Sequence, residues 1–334
     1  MRLVSAAMLA GPVTLVLLSP WLAARAFDGR APARTVATFH LLALIGMALL
    51  PLVVLPCLAL VRPGDLSALA SVSVIRVVQT LSHALAVVYL LRFAWVAVRL
   101  VRATSRLASM SVLAAAERLA VPGQTVAGYV LASPRPVAFA VGGRSRGVVV
   151  SRGLLGLLDD DERDAVLAHE LAHLLLGHHR LLLLARIISA ALGTVVPPVG
   201  DTYASLAREL EVLADQAAAG AVGDRRVVAR ALAKAALATT ESPAPAPTVA
   251  FGGACDLAYR LDRLTSDGPC EDRRGVAAAG IGLLAAGLLA IVAFTLQPAG
   301  LVAAVTAGGG TVMGIGWLSW RGVAASAPTR MTTG

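Results

Sequence analysis

The sequence predicts a multi-span α-helical membrane protein carrying one inserted α+β domain, and three observations lead there. The 334 residues are 57% hydrophobic and 15% charged, with a mean hydropathy of +0.76, which is too apolar for an ordinary soluble domain. Five apolar runs, near 4–24, 37–61, 77–98, 276–296 and 301–320, are each long enough to cross about 30 Å of hydrocarbon. Between the third and the fourth lies the sizeable polar stretch, about 102–274, which holds nearly all the Asp and Glu.

These boundaries give three spans within 1–101, a domain over 102–274, two spans within 275–320 and a short tail, 321–334. The net charge of +9 comes almost wholly from arginine, Lys234 being the one lysine. The arginines gather beside the apolar runs rather than in aromatic-interleaved patches, which disfavours direct nucleic-acid binding. With an outer N-terminus, Arg25, Arg30, Arg34, Arg99, Arg102, Arg106, Arg273, Arg274, Arg321 and Arg330 fall inside, and the outside segments hold Arg2 and Arg62. That distribution expects a cytoplasmic polar domain. A signal peptide ending at Ala24-Arg25-Ala26 would put most of these arginines outside, so the first run is read as a retained helix.

Within the spans, Arg92 is expected to snorkel to the inner interface, and His40 and His83 to make helix–helix hydrogen bonds. Trp21, Trp95, Trp317 and Trp320 fit interfacial anchors. Cys57, Cys255 and Cys270 lack C-x-x-C spacing and are read as reduced, space-filling thiols.

The polar domain opens with a linking helix around 104–120. Short β-type runs follow at Val126–Ala132, Val137–Val141 and Gly147–Ser151, punctuated by Ser133-Pro134 and Gly142-Gly143. Asp159 or Asp160 suits the N-cap, and Asp161 and Glu162 the first turn, of a helix through Ala165–His179. The run Leu181–Val196, interrupted by Arg186 and closed by Pro197-Pro198, is short and charged for a span and is read as buried or membrane-resting. Helices are expected at 201–219, with Gly220 as stop, at 225–239 before the linker Glu241–Pro247, and at 254–264.

The chemistry is concentrated in His169-Glu170-Leu171-Ala172-His173. Two histidines four apart share one helix face and can hold one zinc ion through imidazole nitrogens. Glu170, beside that face, can take a proton from a water activated by the metal and pass it to a departing amine. A catalytic zinc needs a third protein ligand, and Glu211 on a helix some forty residues later is the better candidate. Asp215, one turn beyond, can accept a hydrogen bond from a ligand histidine and set its tautomer. Glu209 points elsewhere and is expected to be solvated.

A competing ligand is His178 or His179. Leu176 occupies the position where the longer H-E-x-x-H-x-x-G-x-x-H pattern needs glycine, and Gly177 stands one residue late. The helix is therefore expected to continue and carry His179 away from the metal, and both histidines otherwise belong to the helix end, where they suit the dipole. A charged stretch at 159–164 immediately before the motif disfavours cleavage at bilayer depth, and sparse polar residues within the spans disfavour transport.

His169-Glu170-Leu171-Ala172-His173 with Glu211-Val212-Leu213-Ala214-Asp215, preceded by Val137–Gly143 and Gly147–Ser151, resembles the gluzincin membrane peptidases related to the BlaR/MecR antirepressors and to HtpX. The resemblance implies an α+β zinc metallopeptidase domain on the cytoplasmic side, zinc on His169, His173 and Glu211, Glu170 as general base and Asp215 behind a ligand. In the BlaR/MecR branch the substrate is a small DNA-binding repressor. Three spans ahead of the motif favour that branch. The four residues Gln297–Gly300 between the last two runs and the end at Gly334 leave no room for its sensor domain, so direct β-lactam sensing is not expected. HtpX-like quality control of membrane proteins and a non-catalytic zinc-binding scaffold or receptor are the alternatives. No residue of the sequence selects an oligomeric state or an oxyanion-stabilising group; Tyr203 and Arg208 are candidates for the latter.

Overall fold

The computed structural model describes residues 31–59, 72–107, 117–119, 126–142, 146–241 and 254–265. The expected runs at 4–24, 276–296 and 301–320, the tail, Cys270 and the linker beyond Glu241 lie outside them. The described elements are α1 (Ala33–Ala59), α2 (Val72–Leu107), β1 (Glu117–Leu119), β2 (Ala127–Leu131), β3 (Ala138–Val141), β4 (Gly147–Ser151), α3 (Arg152–Leu157), α4 (Asp160–Leu175), α5 (His178–Leu192), α6 (Pro198–Val222), α7 (Arg225–Glu241) and α8 (Ala254–Thr265). Among the described residues they fall into two compact units, one with the residues up to Val101 and Leu184–Leu206, the other with Arg102–Leu183 and those from Ala207 to Thr265.

In the first unit, α1 and α2 are long and apolar enough to cross a membrane. Only 6% of the α2 window Arg76–Thr104 is buried, and Val74, Leu81, Val88, Leu91 and Trp95 are exposed along it. A contiguous apolar surface of that kind marks a membrane or protein interaction face. Arg92, expected to snorkel, has specific partners: its Nε donates to the Ala191 carbonyl at 2.8 Å, and its Nη2 reaches the Ala190 carbonyl and Thr194 Oγ1, both at 3.3 Å. The terminal carbonyls of a helix have no partner within it, so a guanidinium there satisfies what the chain leaves open. His83 likewise bonds within its own helix, its Nδ1 lying 2.8 Å from the Gln79 carbonyl, and Tyr89 Oη donates to the Ala48 carbonyl at 2.7 Å.

The second unit is built on a sheet of order β1-β2-β4-β3, with β2 and β4 parallel and the outer pairs antiparallel. The unbroken apolar run of β4 suits its central place, where all five residues are buried. The expected helix over 104–120 is corrected at its end, because Glu117–Leu119 forms strand β1, paired with Gly128–Val130. Pairing across the sheet overrode local helix preference. Ser151 joins sheet to helix: its Oγ accepts from Val137 N at 2.9 Å and from Leu154 N at 3.1 Å.

Helix α4 begins as its sequence dictates. Asp159 caps it, Glu162 answers in a reciprocal capping box, and Asp160 and Asp161 stand in the first turn. Leu167, Leu171 and Leu174, at i, i+4 and i+7, pack on Val130, Val148 and Val150 of the sheet. Ala165 and Val166 pack the other way, into a core with Ala218, Val227, Val228, Ala231 and Leu264 of the helical layer. Fully buried Glu162 also receives Lys234 Nζ at 2.6 Å, tying α4 to α7.

Two helix boundaries depart from expectation. The helix of the histidine motif does not run on to His179: it ends at Leu175, Gly177 adopts φ +69°, and α5 departs at 63°. A left-handed residue ends a helix wherever it falls, and glycine one position late serves as well. Helix α6 passes through Gly220 and stops at Val222, followed by Gly223 at φ +84°.

Candidate metal centre

The heptad-like stripes of α4 leave a third face for polar work. One turn apart on it stand His169 and His173, with Nε2 atoms 3.1 Å from each other. Glu211 comes from α6, its Oε2 3.5 Å from His169 Nε2 and its Oε1 3.5 Å from His173 Nε2. One ligand atom from each of the three lies within 4.8 Å of the others, a group that could hold a metal ion. Two imidazoles and a carboxylate match the donor preference of zinc. Glu211 retains 21% side-chain exposure, more than either histidine, so the centre opens to solvent on that side.

Behind this centre each imidazole is held by its other nitrogen. His169 Nδ1 lies 2.9 Å from Asp215 Oδ1. An ionised carboxylate only accepts, so a proton sits on Nδ1. Burial opposes charge on this ring, but the hydrogen bonds to Asp215 and Glu211 raise it to about 10, so Nε2 would serve as a ligand by exchanging its own proton for a metal ion. His173 Nδ1 lies 3.1 Å from His178 Nδ1. The turn at Gly177 brings His178 back onto α4. Its neighbour His179 lies against Gly142, where a Cβ would meet the His179 ring at 2.8 Å. Neither joins the three converging ligand atoms.

Glu170 is 6% exposed. Burial pushes its carboxyl up to about 7, while His169 and the Ala140 backbone amide of β3 work the other way. A carboxyl near neutrality is suited to exchanging protons with substrate. Burial opposes charge on Glu211, but the His169 hydrogen bond and the charges around it hold its carboxyl well below the usual range. Burial lowers His173 to about 4 and His178 to about 3.

Arg260 of α8 is the residue that sequence reading missed. It is 2% exposed, and its Nε and Nη2 clamp the two Asp215 oxygens at 2.8 Å each. Its Nη1 lies 3.2 Å from Glu211 Oε2. One buried guanidinium thus balances buried Asp215 and partly exposed Glu211. A faint signal existed, an arginine on the apolar side of a strongly amphipathic stretch, but nothing in the spacing tied it to Asp215.

Glu209 corrects another expectation. It is buried, not solvated, and accepts from Tyr259 Oη at 2.6 Å. Arg208, a candidate oxyanion partner, lies 5.3 Å over the Tyr259 ring. Tyr203 sits on the part of α6 that belongs to the first unit.

Residues 101–198 match the model of peptidase family M48. That stretch contains the sheet, α4 and the turn at Gly177, and stops short of Glu211, Asp215 and Arg260. The chain is also 34% identical over 170 residues to a protease HtpX homolog of Methanopyrus kandleri, covering 42% of this chain and 52% of the relative. It thus spans about half the length of that curated relative. No solved structure matches the chain. The histidine motif and its sheet are therefore similar to peptidase family M48 and to an HtpX-type protease.

Proposed function

We propose that the chain is a membrane-anchored zinc endopeptidase whose working domain, about 102–274, lies on the cytoplasmic side. The observation that carries this reading is the convergence of His169, His173 and Glu211 beside buried Glu170. His169, His173 and Glu211 would hold the ion, with Asp215 behind His169. Bound zinc supplies Lewis-acid activation of a water and of a peptide carbonyl. Glu170 takes the proton of the attacking water and delivers it to the leaving amine, a role supported by a carboxyl near neutrality. An extended peptide would add to the β3 edge at Ala138–Val141, next to Glu170, through main-chain hydrogen bonds.

Two substrate classes suit this reading. One is a cytoplasmic regulator such as a DNA-binding repressor, in the manner of the BlaR/MecR group. The other is damaged membrane protein, favoured by the similarity to an HtpX homolog. A non-catalytic scaffold is disfavoured because three protein ligands converge among the described residues, leaving a position for chemistry.

The test is zinc content and peptide cleavage, self-cleavage included, for the wild type, Glu170→Gln and Glu211→Ala. Glu170→Gln is expected to keep about one zinc and lose cleavage by roughly 10²–10⁴-fold; Glu211→Ala is expected to lose the metal. Cleavage by Glu170→Gln at the wild-type rate would exclude the proton-transfer role.

A further inference from the structure

The metal-centre reading leaves one buried group unused, His178. It is 0% exposed, its ring stands edge-on to His173 with centroids 4.9 Å apart, and its Nδ1 is 3.1 Å from His173 Nδ1. Its Nε2 is buried with no hydrogen-bond partner among the described residues. A buried imidazole with one ring nitrogen unsatisfied is costly, so the contact it does make must matter.

We infer that His178 is the positioning residue of the metal ligand His173, accepting a hydrogen bond from its Nδ1–H and so holding its Nε2 lone pair on the metal. The inference rests on the zinc-centre reading proposed above. The two histidines then have matched supports of different kinds, Asp215 for His169 and His178 for His173. If His173 uses Nε2 as a ligand, its one proton is on Nδ1, and the atom 3.1 Å away must accept it. His178 therefore presents its Nδ1 lone pair and carries its own proton on Nε2. Gly177 makes this possible: its positive φ breaks the helix and folds the next residue onto His173. A continuous helix would place residue 178 some 140° around the axis from 173, on a different face.

The experiment measures zinc affinity by chelator competition on the purified full chain, for the wild type, His178→Leu and His178→Asn. Leucine fills the site without an acceptor, and asparagine returns an acceptor oxygen near the position of Nδ1. His178→Leu is expected to bind zinc about 10–100-fold more weakly, and His178→Asn within about threefold of the wild type. The cobalt-substituted spectrum is expected to change in the leucine variant and be restored in the asparagine one. Wild-type affinity in His178→Leu overturns the inference, as does equal weakening in both variants, which would make His178 a space-filler. If His178→Leu does not fold, the His178→Asn affinity and spectrum decide alone: a loss beyond tenfold overturns the inference. A wild type that binds no zinc removes the metal centre and this inference together, an outcome distinct from the others.

Discussion

At the scale of single residues, the centre is a balance of buried charge. Arg260 neutralises Asp215 and Glu211, so removing it strands buried Asp215 away from water and leaves partly exposed Glu211 without its cation. Arg260→Met is expected to cost about 3–5 kcal/mol in denaturant unfolding, and Arg260→Met combined with Asp215→Asn distinctly less, because the second change removes a stranded charge. A single variant as stable as the wild type would show that Arg260 is not the balancing cation. Glu209 gives a pH test outside the centre. Burial raises its carboxyl above the ordinary value, against the Tyr259 hydrogen bond that lowers it. A carboxyl raised on folding adds stability below its unfolded pKa and loses that contribution as pH rises through its folded pKa. Glu209→Gln abolishes the titration and keeps an oxygen for Tyr259, so it is expected to melt above the wild type at about pH 8 and to converge with it near about pH 4. A lower melting point for the variant at the alkaline end would refute the sign.

Among the elements, α4 and the turn after it decide the site. The start of α4 was legible residue by residue, since Asp159 and Glu162 form the reciprocal cap their spacing announces. Its end was not. Leu176 stands where the longer histidine motif needs glycine, whereas the helix ends on Gly177 at φ +69°. Gly177→Ala has open space for its Cβ, so its cost is the left-handed backbone alone, about 1–2 kcal/mol in thermal unfolding. Weakened zinc binding is expected alongside, because the strain favours the continuous helix that removes His178 from His173. An alanine variant with unchanged stability would mean the turn does not depend on glycine. Strand β1 was read as helix for a related reason: three residues carry little local preference, and pairing with β2 decides.

For the whole molecule, the apolar composition has a visible counterpart in α1 and α2. The residues exposed on α2 include valines and leucines around much of its circumference. With a helix of 36 residues, about 54 Å long at 1.5 Å per residue, α2 exceeds the hydrocarbon thickness. The protein is expected to sediment with membranes, to stay there through high-salt and alkaline washes, and to leave in detergent. Release by salt alone would reduce its attachment to surface charge.

The sequence by itself determined the apolar helices, the strands β2 to β4, the capped start of α4 and the pairing of His169, Glu170 and His173 on one turn. Those features depend on composition, on periods of two and 3.6 residues, and on contacts three or four positions apart. It also nominated Glu211 and Asp215, since i and i+4 on one helix face the same way. Only the tertiary structure decided that Arg260, 45 residues beyond Asp215, closes the charge balance, that Glu209 is buried, and that His178 returns to His173. Each of those depends on where a different helix, or the residue after a turn, comes to rest, and no local period encodes that.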